Sequence, residues 1–427
     1  MKVLKFGGPA ISGAQSMKAV AGIAAGAGKN IVVLAAIEGT TDALAEVAAQ
    51  LYARNVEAAR KGLAALEKQY LALVDELYAG AGSKARASGF VRDVFASLAD
   101  YTKDLFGSVE ERVMLAQGEL LSTFLFATLL EERGVKAAIV PALSYLKLDA
   151  HANPDAEGIK GALSKLLAQE PEAELYLTQG YICVNARGEV DNLGRGGSDI
   201  TASLVGAAIG AEEIQIWTAE TRQDRPAHLH FEEAAELAYF GAQLIHPTCI
   251  LPARDANIPV RVLNSLAPEA PGTLIDNKLD AGVIKAVAAK DGIVAIKIKS
   301  SRMLLACGFL RKVFEIFESY RTPIDMICTS EVGVSLTIDD KSFLDEIVRD
   351  LEKYGTVTVD RGMCIICVAG DMDWRNCGLE SRVMGALKDI PVRMVSYGGS
   401  NYNISILVRG EDKASALESL DKQLFGR

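Results

Sequence analysis

The sequence predicts an α/β protein in two parts, an αβα sandwich with a mainly parallel sheet followed by two smaller β-α-β-β units. Two observations predict this fold. In residues 1–280 short apolar runs alternate with helical patterns, which is typical of parallel sheets covered by helices. In residues 284–427 the order strand, helix, strand, strand occurs twice. A linker-like segment at residues 278–282 separates the two parts.

The first part contains six predicted strands, at residues 2–6, 30–36, 137–141, 175–178, 213–218 and 260–264. In open α/β sheets, ligands bind beyond the carboxyl ends of the strands. The residues that follow these strand ends are therefore candidates for a binding site: Gly7, Glu38, Gly39, Gly180, Thr218 and Ser265.

Residues 41–123 interrupt this alternation. They are rich in Ala, Leu, Glu and Lys, and their apolar residues recur at helical spacing, as at Leu66, Tyr70 and Leu77. This pattern predicts a helical excursion that packs on the sandwich through its apolar and aromatic side chains.

The second part predicts two ferredoxin-like (βαββαβ) domains in tandem. The first copy has strands at 294–299, 324–327 and 332–338 and a helix at 308–320. The second has strands at 363–369, 392–396 and 402–408 and a helix at 379–387.

Composition excludes several classes of protein. The chain has 427 residues, half of them apolar, which is enough for two or three domains. Its net charge of −10 disfavours nucleic acid and anionic membranes as partners. The N-terminus lacks the pattern of a signal peptide, and no apolar run is expected to span a bilayer. We therefore expect a soluble cytoplasmic protein.

Cysteine and histidine give no sign of a metal or disulfide site. The seven cysteines are scattered, as in proteins with reduced thiols. Cys364 and Cys367 have the spacing of a redox or metal motif, but they lie in an apolar run that predicts a buried strand. Residues three apart in a strand point to opposite faces, which favours a structural role. The four histidines lack ligand spacing, so no metal site is predicted.

Two glycine-rich turns are the candidate anion-binding elements of the chain. Residues 194–199 read GRGGSD and lead into a helix-compatible run, while residues 5–8 read KFGG and follow the first predicted strand. Glycine lets backbone N–H groups approach an anion, and a helix N-terminus adds unpaired donors and partial positive charge. Arg195 adds a planar fork of donors. Each turn alone is also compatible with simple tight packing.

Taken together, the motifs resemble those of the aspartate kinases (aspartokinases), members of the amino-acid-kinase superfamily with C-terminal ACT domains. The resemblance covers nearly the whole chain in the right order: KFGG at 5–8, QGE at 117–119, TQGY at 178–181, GRGGSD at 194–199, IWT at 216–218 and FGAQLIHP at 240–247. It implies a catalytic domain over residues 1–280 and ACT domains over residues 284–427.

The resemblance also implies roles for single residues. Lys5 stabilises the transferring phosphoryl group, and Asp199 orients Lys5. Glu119 holds the amino group of aspartate, and Arg195 its α-carboxylate. The remaining implied substrate contacts are Thr41, Tyr181 and Ser198, and the implied nucleotide contacts are Gly7, Gly8, Gly39, Thr218 and Gln243. Magnesium is carried by the nucleotide, with no protein metal site.

The nucleotide side departs from the family pattern. Pro9 and Ala10 stand where the family has threonine and serine, so two donors are lost. Glu38 stands where the family has a serine whose hydroxyl contacts the phosphates. At ~4 Å, the repulsion between its carboxylate and one phosphate charge is roughly 4 kcal/mol. Ala219 replaces an aspartate, the loop after it looks short, and Gln243 replaces a lysine.

The implied effector residues depart less. They are Met303, Gly308, Phe309, Leu310, Asp325, Ser330 and Glu331, with Pro323 in place of a serine. The resemblance implies lysine as an inhibitor, with threonine as a further candidate, and a homodimer through the ACT domains. A purely structural dimerisation role for these domains is the simpler alternative.

Three interpretations of function follow. The first is an aspartate kinase that converts ATP and L-aspartate to ADP and 4-phospho-L-aspartate, the step that opens lysine, threonine and methionine biosynthesis. The second is a catalytically impaired homologue that binds an amino-acid effector. The third keeps phosphoryl transfer but changes the acceptor, with Glu38 contacting a substrate ammonium.

Overall fold

The structure, a computed structural model, describes residues 1–103, 105–219, 226–241, 249–300 and 308–426. The chain divides into two compact units. The first comprises Met1–Phe231 and Ile245–Asn277, and the second Glu232–Leu244 and Lys278–Arg427. A short stretch after residue 231 therefore belongs to the second unit, although it lies within the sequence expected for the first.

The first unit is built on an eight-stranded sheet in the order β3-β4-β2-β1-β7-β9-β10-β8. All neighbouring strands run parallel except β9 and β10. The strands are β1 Val3–Phe6, β2 Asn30–Leu34, β3 Ala137–Ile139, β4 Leu175–Gln179, β7 Ile214–Thr218, β8 His228–His230, β9 Val260–Asn264 and β10 Thr273–Asp276. The six predicted strands are confirmed. The short β8 and β10, and the separate hairpin of β5 Ile182–Val184 and β6 Val190–Asn192, were not predicted.

Strands β1, β2 and β4 are buried along their whole length. A strand buried on both faces reads as a continuous apolar run, and helices must cover it on both sides. The helices of this unit are α1 Ala14–Gly26, α2 Thr40–Tyr52, α3 Val56–Leu77, α4 Ala81–Asp100, α5 Ser108–Glu132, α6 Ala142–Tyr145, α7 Ala156–Gln169, α8 Gly197–Ile209 and α10 Ile250–Asp255.

The predicted helical excursion is confirmed as the four helices α2 to α5. Along α3 the buried side chains recur at three- and four-residue spacing, at Leu63, Leu66, Tyr70, Val74 and Leu77. They join one hydrophobic core with residues of β1 and β2. The excursion is thus an integral layer of the first unit.

Helix α5 corrects one expectation of the sequence analysis. By length and composition it could cross a membrane, although no such run was expected, and 67% of its apolar window is buried within the protein. Its buried residues include Leu121, Leu125 and Phe126, which belong to the core of the first unit. Within the described part of the chain, α5 therefore packs into the hydrophobic core of the first unit.

The second unit has a six-stranded sheet in the order β12-β13-β11-β14-β16-β15. Its strands are β11 Ile284–Lys299, β12 Ile327–Ser330, β13 Gly333–Ile338, β14 Thr356–Gly370, β15 Met394–Ser396 and β16 Asn403–Arg409. Its helices are α9 Phe231–Tyr239, whose first residue belongs to the first unit, α11 Phe309–Ser319, α12 Leu344–Glu352, α13 Leu379–Ala386 and α14 Lys413–Phe425.

The sequence pattern predicts two ferredoxin-like domains in tandem, but in the structure they are interleaved. The first half of β11 pairs with the second half of β14, and the second half of β11 pairs with the first half of β14. One hydrophobic core contains Val294, Ile296 and Ile298 of β11 together with residues of β13, α11 and α12. The other contains Ile284 together with residues of β14, α13, β16 and α14. The first domain is therefore inserted between two strands of the second.

Cys364 and Cys367 lie on opposite faces of β14, as predicted. Cys364 packs in one core with Ile366 and Val368, and Cys367 is buried outside that set. Burial raises the pKa of Cys364 to about 12 and that of Cys367 still further, so neither thiol is activated.

A charged cluster joins α9 to the sheet of the second unit. The Lys290 ammonium lies 2.8 Å from Asp325 Oδ1 and 2.8 Å from Asp339 Oδ2. The Tyr239 hydroxyl donates to Asp325 Oδ1 (3.1 Å), and its ring lies 4.6 Å from Lys290 Nζ. The Asp325 side chain is 1% exposed, and burial raises its pKa. Lys290 is thus the main counter-charge of a buried carboxylate.

We expect Lys290→Met to destabilise the second unit by about 3 kcal/mol, because it leaves the buried Asp325 charge without its cation. Hydrogen exchange of the β11 amides, measured by mass spectrometry, should then accelerate by about 100-fold. The matched control is Lys297→Met, since Lys297 is exposed on the same strand. Equal exchange in both variants would contradict the role of Lys290.

Candidate functional site

A cavity of about 570 Å³ opens at the carboxyl ends of β1, β2 and β4 in the first unit. Four segments form its walls: the turn after β1, the loop between β2 and α2, the turn after β4, and the turn before α8. Helix α5 contributes Glu119. The five residues predicted to contact the substrate all line this cavity: Thr41, Glu119, Tyr181, Arg195 and Ser198.

Lys5 and Asp199 form an ion pair beside the cavity. Lys5 Nζ lies 2.5 Å from Asp199 Oδ1, and both side chains are largely buried. Lys5 is the third residue of β1, and Asp199 lies in the first turn of α8. Lys5 Nζ also lies near Gly7, since a Cβ on that glycine would be 3.2 Å from it. The carboxylate therefore holds the ammonium at the glycine turn.

Glu119 places a buried carboxylate in the cavity. It is 3% exposed, and its Oε1 accepts a hydrogen bond from the Ala36 N–H at 3.3 Å. Among the described residues, no group forms a hydrogen bond with the buried Oε2. Burial raises the pKa of Glu119 to about 8. A buried carboxylate with a vacant acceptor is a site for a ligand cation.

Three glycines let the walls approach each other. A Cβ on Gly118 would lie 2.8 Å from the Ala36 Cβ, one on Gly180 would lie 2.5 Å from the Ser198 Cβ, and one on Gly197 would lie 2.8 Å from the Tyr181 ring. Real Cβ atoms do not approach so closely. The glycines of the QGE, TQGY and GRGGSD motifs are therefore required by backbone packing.

The N-terminus of α8 faces the same cavity. Its N-cap residue, Gly196, has φ = 74°, Arg195 precedes this residue, and Ser198 lies in the first turn. Arg195 is exposed at the rim, and Ser198 is half-buried. The partial positive charge of the helix N-terminus and the guanidinium of Arg195 favour an anion at this end of the cavity.

The residues predicted to contact the nucleotide differ from one another in their surroundings. Gly7 donates its N–H to the Trp217 carbonyl (3.2 Å), which fixes the turn after β1 to the end of β7. Gly8 and Pro9 begin a short 3-10 turn. Pro9, Glu38 and Gly39 line the cavity, with Gly39 at φ = 80°. Thr218 ends β7 and accepts the Ser265 N–H (2.8 Å).

Two predicted positions, Gln243 and Met303, lie outside the described residues, as does most of the loop after Thr218. The other predicted effector residues belong to the second unit. Gly308, Phe309 and Leu310 begin α11, and Ser330 and Glu331 lie at the turn between β12 and β13. Asp325 is paired with Lys290 and Tyr239.

The cavity thus offers an acceptor for an ammonium group at Glu119 and donors for anions at α8 and Lys5. Sequence reasoning did not single out Thr201, whose hydroxyl bonds the Tyr181 N–H. Its only signal is its position, one helical turn after Gly197. Ser122 was missed in the same way: one turn after Gly118, it donates to the Ala35 carbonyl (2.7 Å).

Comparison with known proteins places the chain in a family. Residues 1–264 match the Amino acid kinase family, and residues 366–424 match an ACT domain. Aspartokinase 3, chloroplastic, of Arabidopsis thaliana is 35% identical over 99% of this chain and 81% of its own length. Lysine-sensitive aspartokinase 3 of Escherichia coli is 33% identical over 73% of this chain and 75% of its own length.

Solved structures agree with this assignment. The structure of E. coli aspartokinase III in complex with aspartate and ADP (R-state) has a TM-score of 0.82 and 29% identity, over 100% of both chains. The complex of that enzyme with lysine and aspartate (T-state) has the same score and identity, over 100% of this chain and 99% of the other. With its amino-acid-kinase sheet, its interleaved ACT domains and these relatives, the chain belongs to the aspartokinases.

Proposed function

We propose that this protein is an aspartate kinase, which transfers the γ-phosphoryl group of ATP to the side-chain carboxylate of L-aspartate and releases ADP and 4-phospho-L-aspartate. This step opens lysine, threonine and methionine biosynthesis. The observation that carries the proposal is a single cavity lined by the buried, half-satisfied carboxylate of Glu119, by Arg195 and by the N-terminus of α8. We assign this activity to residues 1–280 and regulation to residues 284–427.

The cavity suits a dicarboxylic amino acid. Glu119 Oε2 accepts the substrate ammonium, and Arg195 pairs with the α-carboxylate. Ser198 and Thr41 add hydroxyl groups, and the Tyr181 ring covers one side. Burial raises the pKa of Tyr181 to about 12, so its phenol stays neutral beside the carboxylate of Glu119.

Phosphoryl transfer needs positioning and positive charge rather than covalent help from the protein. Lys5, held by Asp199, supplies a cation at the glycine turn, where the transferring group would lie. We assign Gly7, Gly8, Gly39, Thr218 and Gln243 to the nucleotide side by resemblance, and of these Gly8 and Gly39 line the cavity. Magnesium enters with the nucleotide as part of the substrate.

The second unit carries the proposed regulation. We assign the effector contacts to the start of α11, to Asp325 and to the turn at Ser330 and Glu331, with lysine as the first candidate and threonine as the second. The lysine-sensitive relative supports this choice. A homodimer through the ACT domains and a cytoplasmic location belong to the same proposal.

One observation favours a second candidate, an impaired homologue that binds amino acids without phosphorylating them. Pro9 and Glu38 line the same cavity as the substrate residues. Pro9 removes a backbone donor, and Glu38 adds a negative charge on the phosphate side. These two residues oppose ATP binding and leave the amino-acid side intact.

Isothermal titration with Mg-ATP, aspartate and lysine, followed by an ADP-release assay, separates the two functions. Heat from aspartate and Mg-ATP with aspartate-dependent ADP release is the result expected for a kinase. Heat from lysine or aspartate without heat from Mg-ATP would establish the impaired homologue. Restoring Glu38→Ser and Pro9→Thr together would then recover ATP binding.

Glu119 predicts proton release on aspartate binding. With a pKa of about 8, the free carboxyl is about nine-tenths protonated at pH 7, and it must ionise to pair with the substrate ammonium. Titration in buffers of different ionisation enthalpy should show release of about 0.9 proton at pH 7. The apparent dissociation constant should fall about tenfold from pH 6 to pH 7, because the ionised fraction rises tenfold.

The variant Glu119→Gln should abolish proton release and lower kcat/KM for aspartate by about 30- to 150-fold, since it removes a charged hydrogen bond worth ~2–3 kcal/mol. Glu131→Gln is the matched control, because Glu131 is exposed on the same helix. Proton release that persists in Glu119→Gln would assign the proton to another group.

Arg195 predicts selectivity between the two amino-acid sites. Arg195→Ala should weaken aspartate binding far more than lysine binding, since Arg195 lies at the catalytic cavity and the effector residues belong to the other unit. The control is Arg187→Ala, which removes an exposed arginine of the β5–β6 hairpin turn. Equal loss of both ligands, measured by titration, would mean that the substrate site is misplaced.

A further inference from the structure

Tyr181 has an unusual backbone conformation for a residue in the cavity wall. Its φ is +67°, in the left-handed region. For a residue with a side chain this conformation costs about 1–2 kcal/mol and persists only where its surroundings hold it. Its neighbour Gly180 brings the turn against Ser198. The strain therefore lies where the turn after β4 meets the first turn of α8.

The Thr201 hydroxyl is one of the groups that hold this conformation. Its Oγ1 accepts the Tyr181 N–H (3.1 Å) and donates to the Gly197 carbonyl (2.9 Å). Thr201 is fully buried. On the other side, the Tyr181 carbonyl accepts the Leu193 N–H (2.8 Å). Both backbone groups of Tyr181 are thus tied to the segment that contains Arg195.

The contact between Gly197 and Tyr181 is tightly packed. A Cβ on Gly197 would lie 2.8 Å from the Tyr181 ring and 3.1 Å from its Cα. A shift of Tyr181 relative to α8 therefore changes the wall of the cavity directly. Gly7 and Gly8, the glycines of the other turn, follow strand β1. Among the hydrogen bonds of the described residues, none joins Thr201 to either of them.

We propose that Thr201 is a positioning residue for the amino-acid substrate: its hydroxyl fixes Tyr181 against the N-terminus of α8 and thereby sets the affinity for aspartate without acting on the nucleotide. The inference rests on the proposed kinase function for its substrate, and on the hydrogen bonds of Thr201 for its mechanism. Thr201 touches neither reactant in this proposal.

The test compares Thr201→Val and Thr201→Ser in the full chain. Valine keeps the shape of threonine but leaves the Tyr181 N–H without this acceptor, whereas serine keeps the hydroxyl. We expect the KM for aspartate to rise at least tenfold in Thr201→Val, with the KM for ATP changed less than twofold. Thr201→Ser should restore the wild-type KM to within threefold.

The matched control is Ser203→Ala in the same helix. Ser203 is fully buried, and its hydroxyl has no hydrogen-bond partner among the described residues. Its removal should leave both KM values unchanged. An unchanged KM for aspartate in Thr201→Val, an equal rise in both KM values, or failure of serine to restore the KM would each overturn the proposal.

A second measurement separates this inference from the proposed function. Hydrogen exchange at the Tyr181 amide of the ligand-free protein, followed by NMR, should accelerate at least tenfold in Thr201→Val and remain slow in Thr201→Ser. If exchange is fast in Thr201→Val but the wild-type protein shows no turnover, the kinase function is refuted. The role of the hydrogen bond between Thr201 and Tyr181 is then still supported. Normal wild-type turnover with unchanged exchange in Thr201→Val would refute the tie alone.

Discussion

The close approach of backbone to backbone around the cavity is the constraint on which the site depends. Four strand and helix ends converge there, and each contact is short because Gly118, Gly180 and Gly197 have no side chain. Without these approaches Glu119 would not reach the loop after β2, and the turn at Tyr181 would not seat on α8. The charged groups act from positions that the glycines make available.

The electrostatics of the cavity follow from burial. Lys5 has its counter-charge in Asp199, so the ammonium is held in place before any ligand arrives. Glu119 has no such partner, and its raised pKa means that a proton serves as its counter-charge in the empty site. An ammonium group can replace that proton, whereas a neutral ligand would leave the carboxyl unchanged. The site therefore selects for a cationic group by exchanging one positive charge for another.

The sheet and much of the cavity could be predicted from the sequence, because buried parallel strands read as apolar runs and glycine turns follow their ends. The six main strands were found in this way, whereas Thr41, Glu119, Tyr181, Arg195 and Ser198 were assigned through the resemblance of the motifs to those of the aspartate kinases. The edge strand β8 escaped, since its residues 228–230 read HLH and do not form an apolar run. The interleaving of β11 and β14 also escaped, because strand pairing is a non-local choice that hydrophobic patterns do not encode. Thr201 escaped since a buried threonine in a helix looks like any core residue.

The interleaving has a consequence for how the regulatory unit can be divided. The inserted domain begins at Ile293 of β11 and ends at Met363 of β14, and these two residues are paired on neighbouring antiparallel strands. The next pair, Lys290 with Ile365, already belongs to the host domain. The inserted domain thus has adjacent ends, and a tight turn that joined those strands could replace it without removing any strand of the host domain. A cut between the two sequence repeats would instead deprive each half of an outer strand. The inserted domain is nested within the host domain, and a boundary placed between the two sequence repeats would cut through both domains.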